Sequence, residues 1–388
     1  MLPFLLRPCS RLCLTTVLVL VFSLISRADD THPPVPDDTH PPVLPNNGDT
    51  GPALVSDTPT IPLPPPNPPP PVEQENGKPI FGVYVGNSAK AVGEYETWLG
   101  RPTDAILSYT GDRNWADYEG SLGWAMGVWR PADRRVVWSV SMIPKGTTLA
   151  EAAKGTYNEH WKNIAEKLAK WHPEEKVLYI RTGWEFNGGW FHYNAVKKAE
   201  AFKGAWRQMV STFRSVSPRF RFDWCPAGAA WMPMNAEDAY PGDDYVDIIG
   251  LDIYDQEKWC KIKDPVKRWN DVYLHGNHGL LWHQKFAAEH HKPMSYPEWG
   301  AGGVDSGDNP YFIEQMYKWF QDNHVIYASY WDSNSNYHGQ LSKGQYPNTG
   351  EKYKELFGNK EIANPAPAEP PPAPPPAPVA PAPTPAAQ

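Results

Sequence analysis

Short apolar runs recur along this chain, separated by stretches with a different period. Eight runs, at residues 80–85, 104–108, 135–141, 177–182, 219–224, 245–253, 292–296 and 325–330, are rich in β-branched and aromatic residues. Several are apolar at nearly every position, which predicts strands buried on both faces. Helical spacing lies between them. Trp161, Ile164, Ala165, Leu168 and Trp171 share one helical face, as do Val196, Ala199, Phe202, Trp206, Met209, Val210 and Phe213. A third helix is predicted to open at Asn309-Pro310, a capping residue before a first-turn proline, with Tyr311, Met316, Trp319 and Phe320 on its buried side.

Strand and helix in alternation predict a parallel sheet. Eight such units over residues 78–358 fit a closed (β/α)8 TIM barrel, an α/β fold. An open doubly wound sheet is disfavoured, because Gly86-Asn87-Ser88 after the first run is no dinucleotide fingerprint.

The flanks read differently. Arg7 and Arg11 precede an apolar stretch at 14–25, and Ser26-Arg27-Ala28 supplies small residues at the cleavage positions. This predicts a signal peptide over 1–28, and hence secretion. Residues 29–77 are proline-rich and repeat Asp-Asp-Thr-His-Pro-Pro-Val at 29–35 and 37–43; residues 359–388 are proline and alanine. Both segments are expected to be disordered and extended, without a core. No other stretch has the length and apolarity to span a bilayer. All 18 tryptophans fall between Trp98 and Trp331, inside the expected barrel.

The formal net charge is −8 with no basic stripe, so nucleic acid is not an expected partner. Cys225 and Cys260 remain after signal removal, either as a disulfide or as two buried thiols. His275, His278, His283, His290 and His291 cluster without the spacing of a metal site. No metal or cofactor is expected, and the chain is expected to act as a monomer.

Barrel sites lie at the carboxyl ends of the strands. Two glutamates stand there: Glu185 in Arg181-Thr-Gly-Trp-Glu-Phe-Asn-Gly-Gly-Trp-Phe191, after the fourth run, and Glu298 in Lys292-Pro-Met-Ser-Tyr-Pro-Glu-Trp-Gly300, ending the seventh. Strands four and seven face each other across a barrel mouth. Two carboxylates beside aromatic rings are what glycoside hydrolysis requires: an acid for the leaving oxygen, a nucleophile for the anomeric carbon, and rings that stack on sugars. Trp184, Phe186 and Trp190 are expected to desolvate Glu185. Arg181 or Tyr254 is expected to hold Glu298, although Arg181 also fits a buried ion pair. Asp252 reads as structural. Trp190, Trp299 and Trp331 are the foremost aromatic subsite candidates, followed by Trp115 and Trp231; Phe191 and His192 follow the acid loop.

The segment Trp184-Glu-Phe-Asn-Gly-Gly-Trp-Phe191 resembles the acid-bearing motif of glycoside hydrolase family 26, best known for β-mannanases. Val246-Asp-Ile-Ile-Gly-Leu-Asp-Ile-Tyr254 and Lys292-Pro-Met-Ser-Tyr-Pro-Glu-Trp-Gly300 are similar to its sixth and nucleophile-bearing strands. The likeness covers the barrel in outline and is strong at these three motifs. It implies a retaining endo-β-glycanase acting on a polysaccharide, β-1,4-mannan first. Glu185 would be the acid/base and Glu298 the nucleophile. Tyr254 would bond the nucleophile, Trp331 would be the floor under the cleaved sugar, and Trp190 and Phe191 would line the neighbouring subsite. Members usually carry histidine before the acid, where this chain has Trp184. That departure keeps a xylanase, a glucanase, an exopolysaccharide hydrolase and a non-catalytic glycan-binding barrel open as alternatives.

Overall fold

The computed structural model describes residues 68–358 apart from 133, 230, 257–259, 302–306 and 336. The expected signal peptide, most of the proline-rich leader and the residue 359–388 tail lie outside the described residues.

Nine parallel strands form the sheet: β1 Ile80–Tyr84, β2 Ala105–Tyr109, β3 Arg135–Ser139, β4 Leu178–Arg181, β5 Phe220–Trp224, β6 Ile248–Gly250, β7 Ile253–Tyr254, β8 Met294–Gly300 and β9 Val325–Trp331. They pair in chain order from β1 to β6. Pairing of β6 with β8 and of β9 with β1 closes the ring. The expected (β/α)8 barrel is present, with β7 a short continuation beyond β6.

The helical faces pack as their spacing requires. Trp161, Ile164, Ala165 and Leu168 of the helix Asn158–Ala169 are fully buried, as are Phe202, Trp206, Met209 and Phe213 of the helix Ala199–Val216. The Asn309 side chain accepts from the Phe312 N–H and caps Pro310–Asp322. On that helix Met316 and Phe320 are buried, whereas Tyr311 and Trp319 are only half-buried.

Three expectations change. First, the run at 245–253 is not one strand. Tyr245 sits in a short 3-10 turn, and the ladder breaks at Leu251-Asp252, where Asp252 instead bridges Ala227. Second, the run at 292–296 continues through Pro297 to Gly300. Proline lacks the N–H a ladder needs, and the β8–β9 register shifts between Tyr296 and Trp299. Third, packing begins before residue 78: Val72 is buried, and the Gln74 amide donates to the Val325 carbonyl at 2.9 Å. Of the two states open to Cys225 and Cys260 the structure has free thiols, with Cys225 buried and Cys260 only partly so. The Cys225 thiol donates to Asp252 Oδ1 at 3.2 Å, and that of Cys260 to the Gln256 carbonyl at 3.6 Å. Of the clustered histidines, His278, His283 and His290 have buried or half-buried protein partners, while His275 and His291 are exposed. His283, buried, spans the Ile249 carbonyl and the Tyr296 hydroxyl. His278 caps Ala236 N–H, and His290 meets Asp243.

A polar group lies inside the barrel below the mouth. Asp223 on β5 accepts from the Ser295 and Tyr327 hydroxyls through Oδ2, while its buried Oδ1 has no hydrogen-bond partner. Burial pushes this carboxyl up to about 6, against the pull of the two hydroxyls. The unfolded chain releases the proton from about pH 4 and the folded protein only near its raised value, so stability falls as pH rises between them. Asp223→Asn keeps the shape without the charge. The melting temperature of the variant relative to wild type should be more favourable at pH 7 than at pH 4. An equal offset at both pH values would show that Asp223 does not titrate with folding.

Candidate active site

The carboxyl ends of β2, β4, β6, β7, β8 and β9 converge on Glu298, which is 7% exposed. Tyr109, the last residue of β2, donates its hydroxyl to Oε1 at 2.5 Å. Tyr254, ending β7, donates to Oε2 at 2.6 Å. Arg181, ending β4, places Nη1 2.8 Å from Oε1. The same Nη1 donates to the Tyr109 oxygen at 2.9 Å, and Nη2 donates to Asp252 Oδ2. Asp252 Oδ1 accepts the Glu298 backbone N–H at 3.0 Å. Arg181 therefore holds Glu298 and also makes the buried ion pair; the two readings of this residue are one arrangement.

Electrostatics follow from burial. Burial pushes the Tyr109 and Tyr254 hydroxyls well up, with Glu298 adding to it, so both stay donors. It also pushes the Asp252 carboxyl up, reinforced by Glu298 and Glu185 and opposed by the Arg181 guanidinium. Arg181 itself is held above its ordinary value by Asp252, Tyr109 and Glu298, although burial alone would lower it.

A change of strand parity aims Glu298. Ser295 points inward to Asp223, and Tyr296 points outward to Phe320 and His283. Strict alternation would put Glu298 outward with Tyr296. The irregularity at Pro297 resets the parity, so Glu298 faces the mouth. Trp299 is thereby turned outward. It is 1% exposed and packs on Phe320, Tyr330, Tyr353 and Phe357. Trp299 is not a subsite residue; it fills the layer between barrel and helices.

Glu185 lies four residues beyond β4, half-buried, with a left-handed backbone (φ 51°) next to Gly183 (φ 55°). Left-handed non-glycine residues are uncommon and concentrate at functional sites. The Glu185 N–H is tied to the Cys225 carbonyl of the next strand's exit at 2.8 Å. Trp190 Nε1 donates to Glu185 Oε2 at 2.8 Å. A Cβ on Gly188 would come within 2.3 Å of the Trp190 ring, so glycine is what lets the indole fold back.

The expected desolvating cage is not formed. Phe186 is fully buried against Phe202 and Trp224. Trp184 is buried beneath Arg181, its ring 5.0 Å from the guanidinium carbon, and edge-on to Tyr109. Phe191 is 8% exposed and stacked on Tyr193 at 4.9 Å, so it supports Trp184 and presents no open face to a sugar. Trp190, 39% exposed, and Trp231, 82% exposed, retain open faces. Trp331 at the end of β9 stacks on Tyr84 at 4.1 Å and meets Tyr109 and Tyr254 edge-on, which sets it beside the Glu298 carboxylate. Trp115 stacks on His160 at 4.3 Å, on the helix that follows β2.

Tyr109 was not singled out by the sequence. Its signal was present: an aromatic at a strand's carboxyl end, the position that also marked Tyr254.

Residues 139–273 match the model of Glycosyl hydrolase family 26. No curated protein sequence matches the chain. Among solved structures, a GH26 β-mannanase from Bacteroides ovatus superposes with a TM-score of 0.52 at 16% identity, covering 72% of this chain and 88% of that one. The YdhT protein from Bacillus subtilis gives 0.50 at 17% identity, covering 72% and 86%. At such identities the superpositions speak for the fold. The family match runs from the end of β3 through β4, β5, β6 and β7 and includes Arg181, Glu185, Asp252 and Tyr254, and with the shared fold it supports an assignment to glycosyl hydrolase family 26 and to the glycoside hydrolases.

Proposed function

We propose that this chain is a secreted, retaining endo-β-glycanase acting on β-1,4-mannan, with Glu185 as acid/base and Glu298 as nucleophile. The observation that carries the reading is the unequal treatment of the two carboxylates. Glu298 is fixed from β2, β4 and β7 by two hydroxyls and a guanidinium. Glu185 is half-buried on a loop and accepts from the Trp190 indole.

In the first step Glu185 protonates the leaving oxygen as Glu298 Oε attacks the anomeric carbon. The glycosidic bond breaks and a glycosyl ester forms on Glu298. In the second step Glu185, now ionised, takes a proton from water, which attacks the same carbon and frees Glu298. Catalytic carboxyl groups in this mechanism stand about 5–5.5 Å apart. Trp331 supplies the floor of the cleaved unit, and Trp190 supplies the neighbouring face. Trp184 provides no polar contact to a sugar, since its ring is spent on Arg181. Xylan and mixed-linkage glucan therefore belong in the same assay panel.

Reducing-end release by the purified protein on mannan, glucomannan, xylans, mixed-linkage glucan and β-1,3-glucan tests the reading. Activity should be highest on mannan, and Glu298→Ala should reduce it by at least about 10³-fold without unfolding the protein. Unchanged turnover in that variant would remove Glu298 from the mechanism; activity on xylan alone would move the specificity.

Glu185→Ala should lose about 10²–10⁴-fold on polymer, yet lose little on aryl glycosides whose leaving groups need no proton. Equal losses on both substrate types would mean Glu185 is not the acid.

Trp190→Phe keeps the ring and deletes the N–H donor. A donor to a carboxylate favours its charged form, so removing it favours the protonated acid. The basic limb of the kcat/KM profile should move to higher pH, by up to about one unit. A fixed basic limb with only a raised KM would reduce Trp190 to a sugar platform.

A further inference from the structure

The mouth holds a second polar group, made from the exits of β2, β3 and β4 and separate from the carboxylate pair. Asp112 follows Tyr109 by three residues and is 6% exposed. Its backbone carbonyl accepts from Lys145 N–H at 2.7 Å, which ties the β2 exit to the β3 exit. Among the described residues its carboxylate makes no hydrogen bond. The nearest cationic side chains stand off, Lys145 Nζ 3.7 Å from Oδ1 and His192 Nδ1 3.7 Å from Oδ2. Both separations exceed hydrogen-bond reach, although they lie within ion-pairing distance, so the carboxylate keeps acceptor capacity for a ligand.

His192 sharpens the point. Its Nε2 lies 2.6 Å from the Ile143 carbonyl, an acceptor, so Nε2 carries the hydrogen. Burial lowers the imidazole's affinity for a second proton. The neutral ring then turns the lone pair of Nδ1 toward Asp112 Oδ2, and two acceptors face one another with no donor between them. A ligand completes this group by bringing donors.

We propose that Asp112, His192 and Lys145 form a sugar subsite that takes two neighbouring hydroxyls of a neutral unit of the polysaccharide. One hydroxyl donates to Asp112, the next donates to His192 Nδ1, and the Lys145 ammonium donates to a hydroxyl oxygen. The inference rests on the glycanase reading above and extends it to the residues that select the sugar. The Asp112 carboxylate disfavours uronates and sulfated sugars. The Lys145 ammonium, as close to Asp112 as the imidazole is, disfavours a bound metal cation. The location suits a polymer: His192 lies seven residues beyond Glu185, and Tyr109, three before Asp112, touches Glu298.

The test measures binding without turnover, by calorimetry on the full chain carrying Glu298→Ala, with mannohexaose, cellohexaose and xylohexaose as probes. Adding Asp112→Asn, which keeps the shape and replaces an acceptor by a donor, should weaken binding of the preferred hexaose by about tenfold to a hundredfold. The melting temperature should hold or rise, because the carboxylate makes no internal hydrogen bond. Unchanged affinity in a folded Asp112→Asn protein overturns the subsite. Should that variant not fold, Lys145→Met decides, its side chain being half exposed: a loss of affinity supports the proposal, and no loss overturns it. A parent that binds none of the three hexaoses overturns the glycanase reading and the subsite together. A parent that binds while Asp112→Asn binds equally well overturns the subsite alone.

Discussion

The Arg181 guanidinium, with no exposed surface, is the interaction on which the rest of the mouth depends. One cation serves two carboxylates, Asp252 and Glu298, and also donates to Tyr109. Taking three charged groups out of water costs several kcal/mol per ion, and it is tolerated only where partners are placed accurately. The arginine ends β4, and these partners come from the exits of β2 and β8 and from the break between β6 and β7. Barrel closure must therefore bring all of these exits to one level before the arginine is satisfied. Removing it would leave two buried acids facing each other, a destabilisation of about 3–5 kcal/mol. Trp184 completes the setting, its ring 5.0 Å from the guanidinium carbon, a contact that a desolvated arginine favours. The tryptophan that departs from the family's usual histidine has a physical role here, though not toward a sugar.

Each carboxylate then needs a local departure from regular geometry to reach the mouth. For Glu298 it is the register shift at Pro297, which turns a residue otherwise directed at the helices toward the interior and sends Trp299 the other way. For Glu185 it is a left-handed backbone beside left-handed Gly183. Gly188 adds a third device, since any side chain there would meet the indole that folds onto Glu185. These features spend regularity where position matters, and the surrounding ladder and helix packing hold them in place.

The barrel was legible because its strands are buried on both faces and its helices alternate with them at short intervals. The apolar faces around Trp161 and Phe213 needed only their period to be recognised. The two glutamates could be put forward from the sequence for a topological reason: barrel sites lie at strand ends. Other features were not. Trp299 follows Glu298 directly, and nothing in composition shows that a proline-centred irregularity sends the two to opposite faces. Phe191 read as a sugar contact and Trp184 as a desolvating neighbour of Glu185, yet each is used in packing, because an aromatic beside an acid looks the same whether it stacks on a sugar or on Tyr193. Tyr109 lacked a motif of its own. Asp112 gained meaning only from three loops that are far apart in sequence.

Under the proposed mechanism the contrast between the two glutamates has a chemical logic. A displacement at an anomeric carbon asks the nucleophile to stay fixed while the sugar moves toward it, and mobility there would be a direct loss of effective concentration. Clamping from three separate strands supplies that fixity for Glu298. The acid/base has the opposite task. It must meet the leaving oxygen in one step and water in the next, so it must remain reachable from solvent and able to gain and lose a proton. A loop carboxylate, half-buried, with a partly exposed indole as a donor, suits this cycle. A second group clamped like Glu298 would be shut off from the water that completes turnover.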